Sequence, residues 1–197
     1  WQAVVSIEDE RFFEHQGVDW LRTGKAALTG AFTGDSSFGG STLTQQLIKN
    51  LTDDRQDTIK RKVMEIFRAL ELEKRYDKDE ILEMYLNQVY FGSSSYGIGA
   101  AAETYFGKPA TELTLAEAAC IVGITNNPSQ YNPMNENDGW SRAQNQKRQR
   151  TILDKMVELE YISEAEAEEL LRTYVARFES ELYKFMNKNG PRLNQNQ

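Results

Sequence analysis

The chain has 197 residues, 40% of them hydrophobic and 27% charged, with 13 Gly, 4 Pro and a formal net charge of −7. These are the proportions of one globular domain, or of a domain with a satellite lobe, and they exclude a disordered chain and a collagen-like repeat. The acidic balance argues against a general nucleic-acid binder, and the single Cys excludes an intramolecular disulfide and any Cys-cluster metal site.

No apolar run approaches the roughly 18–20 residues of a bilayer span. The chain opens on Trp1-Gln2-Ala3 without an initiator Met, so it reads as a piece of a longer polypeptide with any anchor upstream. In chain order, Ala3–Ile7 is a candidate short extended piece, and Gly34–Gly40 is a Gly/Ser-rich loop. Leu43, Leu47 and Leu51 mark a helix. Val63, Ile66, Phe67 and Leu70 recur at helical spacing, and that face is expected to turn toward a core. Asp77 with Glu80 reads as a capping box before Ile81, Leu82, Tyr85, Leu86 and Val89. A second extended piece is placed around Tyr90-Phe91, followed by a loop over Gly92–Ser95. Thr114 with Glu117, and Ser163 with Glu166, repeat the capping arrangement. Asn126–Gly139 is expected to be irregular, the acids from Asp154 to Glu181 to form a solvated face, and the tail 187–197 to be a linker or frayed end.

Three constellations could carry chemistry. In Glu8-Asp9-Glu10-Arg11-Phe12-Phe13-Glu14-His15, acids sit beside aromatics and the only His. A carboxylate beside apolar rings loses solvation, its pKa tends to rise, and it can then serve as a general acid or base. An ordinary acidic surface helix accounts for the same residues, and a lone His is more often structural than a zinc ligand. In Gly39-Gly40-Ser41-Thr42 running into Leu43–Asn50, glycines precede a helix start, whose N–H groups attract anions. Thr42, Gln46 and Lys49 share one face there, suited to a phosphate or a sugar, or simply a polar surface stripe. The P-loop spacing is absent. In Arg61-Lys62-Val63-Met64-Glu65, Arg61 and Glu65 lie one turn apart, which an intrahelical ion pair also explains.

Together these motifs resemble a family. Glu8-Asp9-x-x-Phe12-x-x-His15-x-Gly17, then Gly39-x-Ser41-Thr42-x-Thr44-Gln45-Gln46-x-x-Lys49-Asn50, then Arg61-Lys62-x-x-Glu65, then Lys78-x-x-Ile81-Leu82-x-x-Tyr85-Leu86-Asn87 are similar, in that order, to the signatures of the peptidoglycan glycosyltransferases, glycosyltransferase family 51. This is the polymerase domain of class A penicillin-binding proteins and of monofunctional transglycosylases. Tyr105-Phe106-Gly107-Lys108, Tyr131-Asn132-Pro133 and Arg148 fit as well, and the match runs over roughly residues 3 to 160.

The resemblance implies a mainly α, lysozyme-like fold of two lobes, with a jaw over roughly 18–50 that dips into the membrane. Trp20, Leu21, Ala26, Ala27, Leu28, Ala31 and Phe32 would supply its apolar surface. Residues 1–186 would form the glycosyltransferase domain and 187–197 the tail. The implied reaction polymerises lipid II into β-1,4-linked glycan with inversion and release of undecaprenyl pyrophosphate. Glu8 takes the general-base role and Glu65 that of the second essential acid, with Lys49 and Arg61 on the pyrophosphate side. Asp9, Ser41, Thr42, Gln46 and Asn50 are the further substrate-side candidates, Asp9 by holding Glu8 or a basic neighbour; His15, Tyr85 and Asn87 read as architectural.

No organic cofactor is implied, and a divalent ion such as Mg²⁺ beside Glu65 is allowed. The implied partners are lipid II, the nascent glycan strand, the membrane surface and a transpeptidase domain in the same polypeptide. The implied location is the extracytoplasmic face of a bacterial membrane, and the implied inhibitors are of the moenomycin type. One departure stands out: Asp53-Asp54-Arg55-Gln56-Asp57 is long and acidic where family members carry an Arg close to the Arg-Lys pair, which puts the reach of Arg55 in doubt. A lysozyme-like hydrolase or lytic transglycosylase, which needs no basic pyrophosphate site, is the competing enzyme, and a glycan-binding module the non-enzymatic alternative.

Overall fold

The computed structural model describes residues 1–25, 40–52, 58–135 and 139–174. They are mainly helical, and the only extended pairing among them is an isolated antiparallel bridge, Tyr90 to Tyr96. The expected jaw residues Ala26, Ala27, Leu28, Ala31 and Phe32, the Arg55 segment and the tail lie outside the described residues.

The first correction to the sequence reading is at the start. Ala3–Ile7 is helix, part of α1 (Gln2–Glu8), not an extended piece. Its β-branched valines favour strands in isolation, but burial overrides propensity. Ala3, Val4 and Val5 are all buried, and α1 packs against α6 (Leu115–Ile124) and α8 (Trp140–Glu158).

Next come α2 (Leu43–Thr52), α3 (Ile59–Leu72) and α4 (Lys78–Gln88), with α2 in contact with both of the others. Leu43 and Leu47 of α2 are fully buried, whereas Leu51, expected on the same face, is half exposed. A second correction concerns α3. Half of the stripe expected to face the core faces out: Phe67 is 60% exposed and Val63 43%, while Ile66 and Leu70 are half-buried. The buried residues of α3 are Glu65 and Ala69. Ala69 turns inward because the chain at Gly17 runs against it; a Cβ on Gly17, whose φ is +84°, would lie 2.8 Å from the Ala69 carbonyl oxygen. Only a glycine opposite a small residue permits that approach.

The capping pairs form as the sequence predicts. Asp77 and Glu80 start α4, Thr114 and Glu117 start α6, and Ser163 and Glu166 exchange the same bonds before helical residues 164–174. Between α4 and α6 lie the turn around Gly92–Ser95, α5 (Ile98–Phe106) and a 3₁₀ turn (Ala110–Glu112). The stretch read as irregular contains a short helix, α7 (Pro128–Tyr131), which Asn127 caps through the Gln130 N–H.

α6 is apolar almost throughout and is enclosed by its neighbours. Polar side chains of α8 tie to it: Asn145 donates to the Cys120 and Tyr131 carbonyls at 3.0 and 2.8 Å, and Gln149 to the Ala116 carbonyl at 2.7 Å. These buried amide donors fix the crossing, although the Gln149 Oε1 beside them has no hydrogen-bond partner. The result holds the C-terminal end of α1 beside the start of α2 and the end of α6, and the chemistry-bearing residues gather there.

Candidate active site

Glu8 is the last residue of α1 and Asp9 its C-cap, and the two carboxylates part company. Asp9 turns inward and is fully buried. It accepts from His15 Nε2 at 3.0 Å and from the Leu43 backbone N–H at 2.9 Å, with Arg22 at 3.9 Å. A remote carboxylate therefore occupies the anion position at the start of α2, where the N–H groups and the dipole favour negative charge. The expectation that this helix start is open to a substrate anion is corrected: the protein's own Asp9 fills it. Thr42 is also inside the wall, 0% exposed, donating to the Gly17 carbonyl at 2.6 Å and accepting from the Gln45 N–H at 3.2 Å.

Glu8 turns outward into a groove. Its Oε2 accepts from Gln46 Nε2 at 3.0 Å, while Oε1 lies 3.4 Å from the Thr125 hydroxyl and 3.9 Å from Arg148. Arg22 donates to the Glu8 backbone carbonyl. The aromatic neighbours expected to desolvate Glu8 are engaged elsewhere: Phe12 lies under the Lys78 ammonium and Phe13 packs edge-on against Trp1. The immediate partners of Glu8 are polar.

Glu65 lines the same groove as Glu8, a space of about 450 Å³. It is 4% exposed. Arg61 donates to one of its oxygens at 2.6 Å, and Lys62 to the other. Lys62 also donates to Ser41 at 2.7 Å. Ser41, Gln46, Lys49 and Asn50 all border this groove, the last two exposed. Arg61 is among its supports rather than its lining, and Asp9 and Thr42 stand behind the wall.

A second groove of about 570 Å³ also reaches Glu8 and is lined by Arg22, Lys25, Arg148 and Lys155 among others. Lys155 there pairs with Glu10 at 3.0 Å and Arg11 with Asp19. Glu8 thus stands where two clefts with cationic walls meet.

A model of the family described as transglycosylase matches residues 1–157. The chain belongs to the transglycosylase family. Penicillin-binding protein 1A/1B of Bacillus subtilis (strain 168) is 42% identical over 84% of the chain, and penicillin-binding protein 1A of Escherichia coli (strain K12) 42% over 83%. The chain spans only 18% and 19% of those relatives' own lengths. A crystal structure of penicillin-binding protein 1A from Haemophilus influenzae covers 66% of this chain and 15% of that one at 32% identity; its TM-score of 0.44 is too low to carry an argument about the fold. The resemblance read from the ordered motifs is borne out at the level of the family.

The candidate site contains residues that sequence reasoning passed over. Lys62 was legible, since it precedes Glu65 by three on one helix. Gln45 borders the groove with its Oε1 taken by the Thr42 N–H and its buried Nε2 without a partner, leaving a donor at the wall. Arg22 and Thr125 meet Glu8 across 14 and 117 residues of chain, and no local pattern announces them.

A divalent ion held by the transglycosylase domain finds no fit. Both Glu65 oxygens are taken by cations, and no cluster of three or more His, Cys, Asp or Glu side chains forms among the described residues.

Proposed function

We propose that the domain is a peptidoglycan glycosyltransferase that polymerises lipid II. The observation that carries the reading is that Glu8 and Glu65, 57 positions apart in the chain, line one groove together with Ser41, Lys49 and Asn50. In this reading the 4-hydroxyl of an acceptor GlcNAc attacks C1 of the MurNAc at the reducing end of the growing chain. The C1–O bond to the pyrophosphate breaks as the new bond forms on the opposite face. The β-1,4 linkage results, the hydroxyl proton passes to Glu8, and undecaprenyl pyrophosphate departs with the electron pair.

Glu8 Oε1 is the oxygen for that proton, because its contacts, Thr125 at 3.4 Å and Arg148 at 3.9 Å, are looser than the 3.0 Å bond that Oε2 accepts from Gln46. Charge growing on the leaving group calls for fixed positive groups. Lys49 supplies one at the groove wall, and Lys62 and Arg61, gathered on Glu65, supply a clamp whose own charge is partly balanced. Glu65 is thus the anchor of the cationic side. Asn50, Ser41 and Gln45 supply hydrogen bonds to sugar or phosphate. Each polymerisation step brings together two lipid-linked substrates, and two cationic grooves meeting at Glu8 suit that demand. A hydrolytic or lytic enzyme has no use for the second set of cations.

The rest of the reading follows the family: a lysozyme-like two-lobed fold, a jaw dipping into the membrane, an extracytoplasmic location, a transpeptidase domain in the same polypeptide, and moenomycin-type inhibitors. Exposed Trp20 and Leu21 support the membrane contact. The test is incubation with labelled lipid II. Glu8→Gln is expected to lower glycan synthesis by at least about 10²-fold while the lipid still binds. Near-normal synthesis by this variant removes Glu8 from the base role, and shortening of preformed glycan by the parent protein points to a lytic enzyme instead.

A further inference from the structure

Tyr85 of α4 borders the groove from within its wall, 0% exposed. Its hydroxyl donates to Gln46 Oε1 at 3.2 Å, and Gln46 Nε2 donates to Glu8 Oε2 at 3.0 Å. The direction of this chain is chemically fixed. An ionised carboxylate only accepts, so the amide must turn its NH₂ toward Glu8, and its oxygen then needs a donor behind it. Tyr85 is that donor. Burial, with the nearby Glu8 charge adding to it, pushes the phenol well above its ordinary range, so the O–H persists at any working pH.

We propose that Tyr85 is a positioning residue for the reaction, holding Gln46 in the one orientation that aims its NH₂ at Glu8 Oε2 and leaves Oε1, on the Thr125 and Arg148 side, to meet the incoming hydroxyl. This rests on Glu8 being the base. When Glu8 carries a proton, the amide can turn over and offer its oxygen instead. Nε2 would then face Tyr85, and the buried phenol O–H would point at no acceptor, since Gln46 is its only hydrogen-bond partner among the described residues. Tyr85 therefore penalises the protonated arrangement and resets the base after each transfer. The other groups that face Glu8 are Arg148 from α8, Thr125 at the end of α6, and Arg22 on its carbonyl; Asp9 adjoins it in the chain, and Lys49 and Glu65 share the groove. Tyr85 reaches Glu8 through Gln46.

The experiment is the pH dependence of lipid II polymerisation by the intact protein. Tyr85→Phe, which removes one oxygen and keeps the ring, is expected to move the acidic limb of the rate profile upward by about one pH unit, a loss of about tenfold at a pH on that limb. Gln46→Met is expected to move it in the same direction. Added to Gln46→Ala, Tyr85→Phe should change the rate by less than about twofold, because the two act in series. An acidic limb that stays in place in Tyr85→Phe overturns the inference, and so does a shift that persists in the Gln46→Ala background. A merely structural tyrosine would lower the melting temperature and leave the limb where it was. If Tyr85→Phe does not fold, Gln46→Met decides: an unmoved limb overturns the inference. An inactive Glu8→Gln together with an unmoved limb in Tyr85→Phe sinks this inference alone; an active Glu8→Gln sinks the base assignment beneath it.

Discussion

Asp9→Asn is the sharpest probe of how the site is built. The carboxylate accepts from the Leu43 N–H at 2.9 Å and from His15 at 3.0 Å, at a fully buried position with Arg22 3.9 Å away. An amide keeps the shape but has one accepting oxygen, so its NH₂ must face either the helix start or the imidazole. A hydrogen bond to a charged group is worth about 1.5–3 kcal/mol, and one of the two is lost outright while the other loses its charge. The start of α2 also loses its counter-charge, worth about 0.3–1 kcal/mol. The sum, about 3 kcal/mol, is a large share of the ~5–15 kcal/mol that a domain possesses. For a chain of this size it corresponds to a fall of about 6–12 °C in melting temperature. Thermal unfolding followed by circular dichroism measures it, alongside lipid II binding. A melting temperature within about 2 °C of the parent, with binding impaired, would refute the structural assignment and return Asp9 to direct substrate contact.

Gly17→Ala should destabilise by at least about 2 kcal/mol, since a positive φ and a Cβ 2.8 Å from the Ala69 carbonyl oxygen are both unfavourable; denaturant unfolding with an unchanged midpoint would contradict it. Burial pushes the Cys120 thiol up to about 12, so at pH 8 only about one part in 10⁴ is thiolate. A thiol-specific chromogenic reagent is therefore expected to react slowly with the native protein and fully once it is unfolded; rapid stoichiometric labelling of the native form would show the site to be open.

Legibility in the sequence followed the range of the interaction. The three capping boxes are pairs three residues apart, and all of them could be read because their partners are local. The α3 stripe was misread because helical spacing reports that a face exists and not which face is buried. A glycine 52 positions away, at Gly17, is what draws Ala69 inward. Glu8 and Glu65 were found through family motifs, while their environment was not. The sequence places Phe12 and Phe13 near Glu8, yet the chain turns after α1 and hands both rings to other neighbours. Arg22 and Thr125 converge on Glu8 from distant segments, and Tyr85 on Gln46 beside it, an arrangement made by packing rather than by pattern.

The two adjoining acids at the end of α1 carry opposite duties, one seen by solvent and one sealed in the interior. Their division of labour depends on a single peptide unit. Slipping the chain there by one residue would put either Asp9 in the groove with Glu10 against the histidine, or Glu8 against the histidine with Ile7 in the groove, and in both cases the pair is lost. The count of residues between Val5 and Phe12 is therefore as much a part of the site as the side chains themselves, and an insertion or a deletion there would break it.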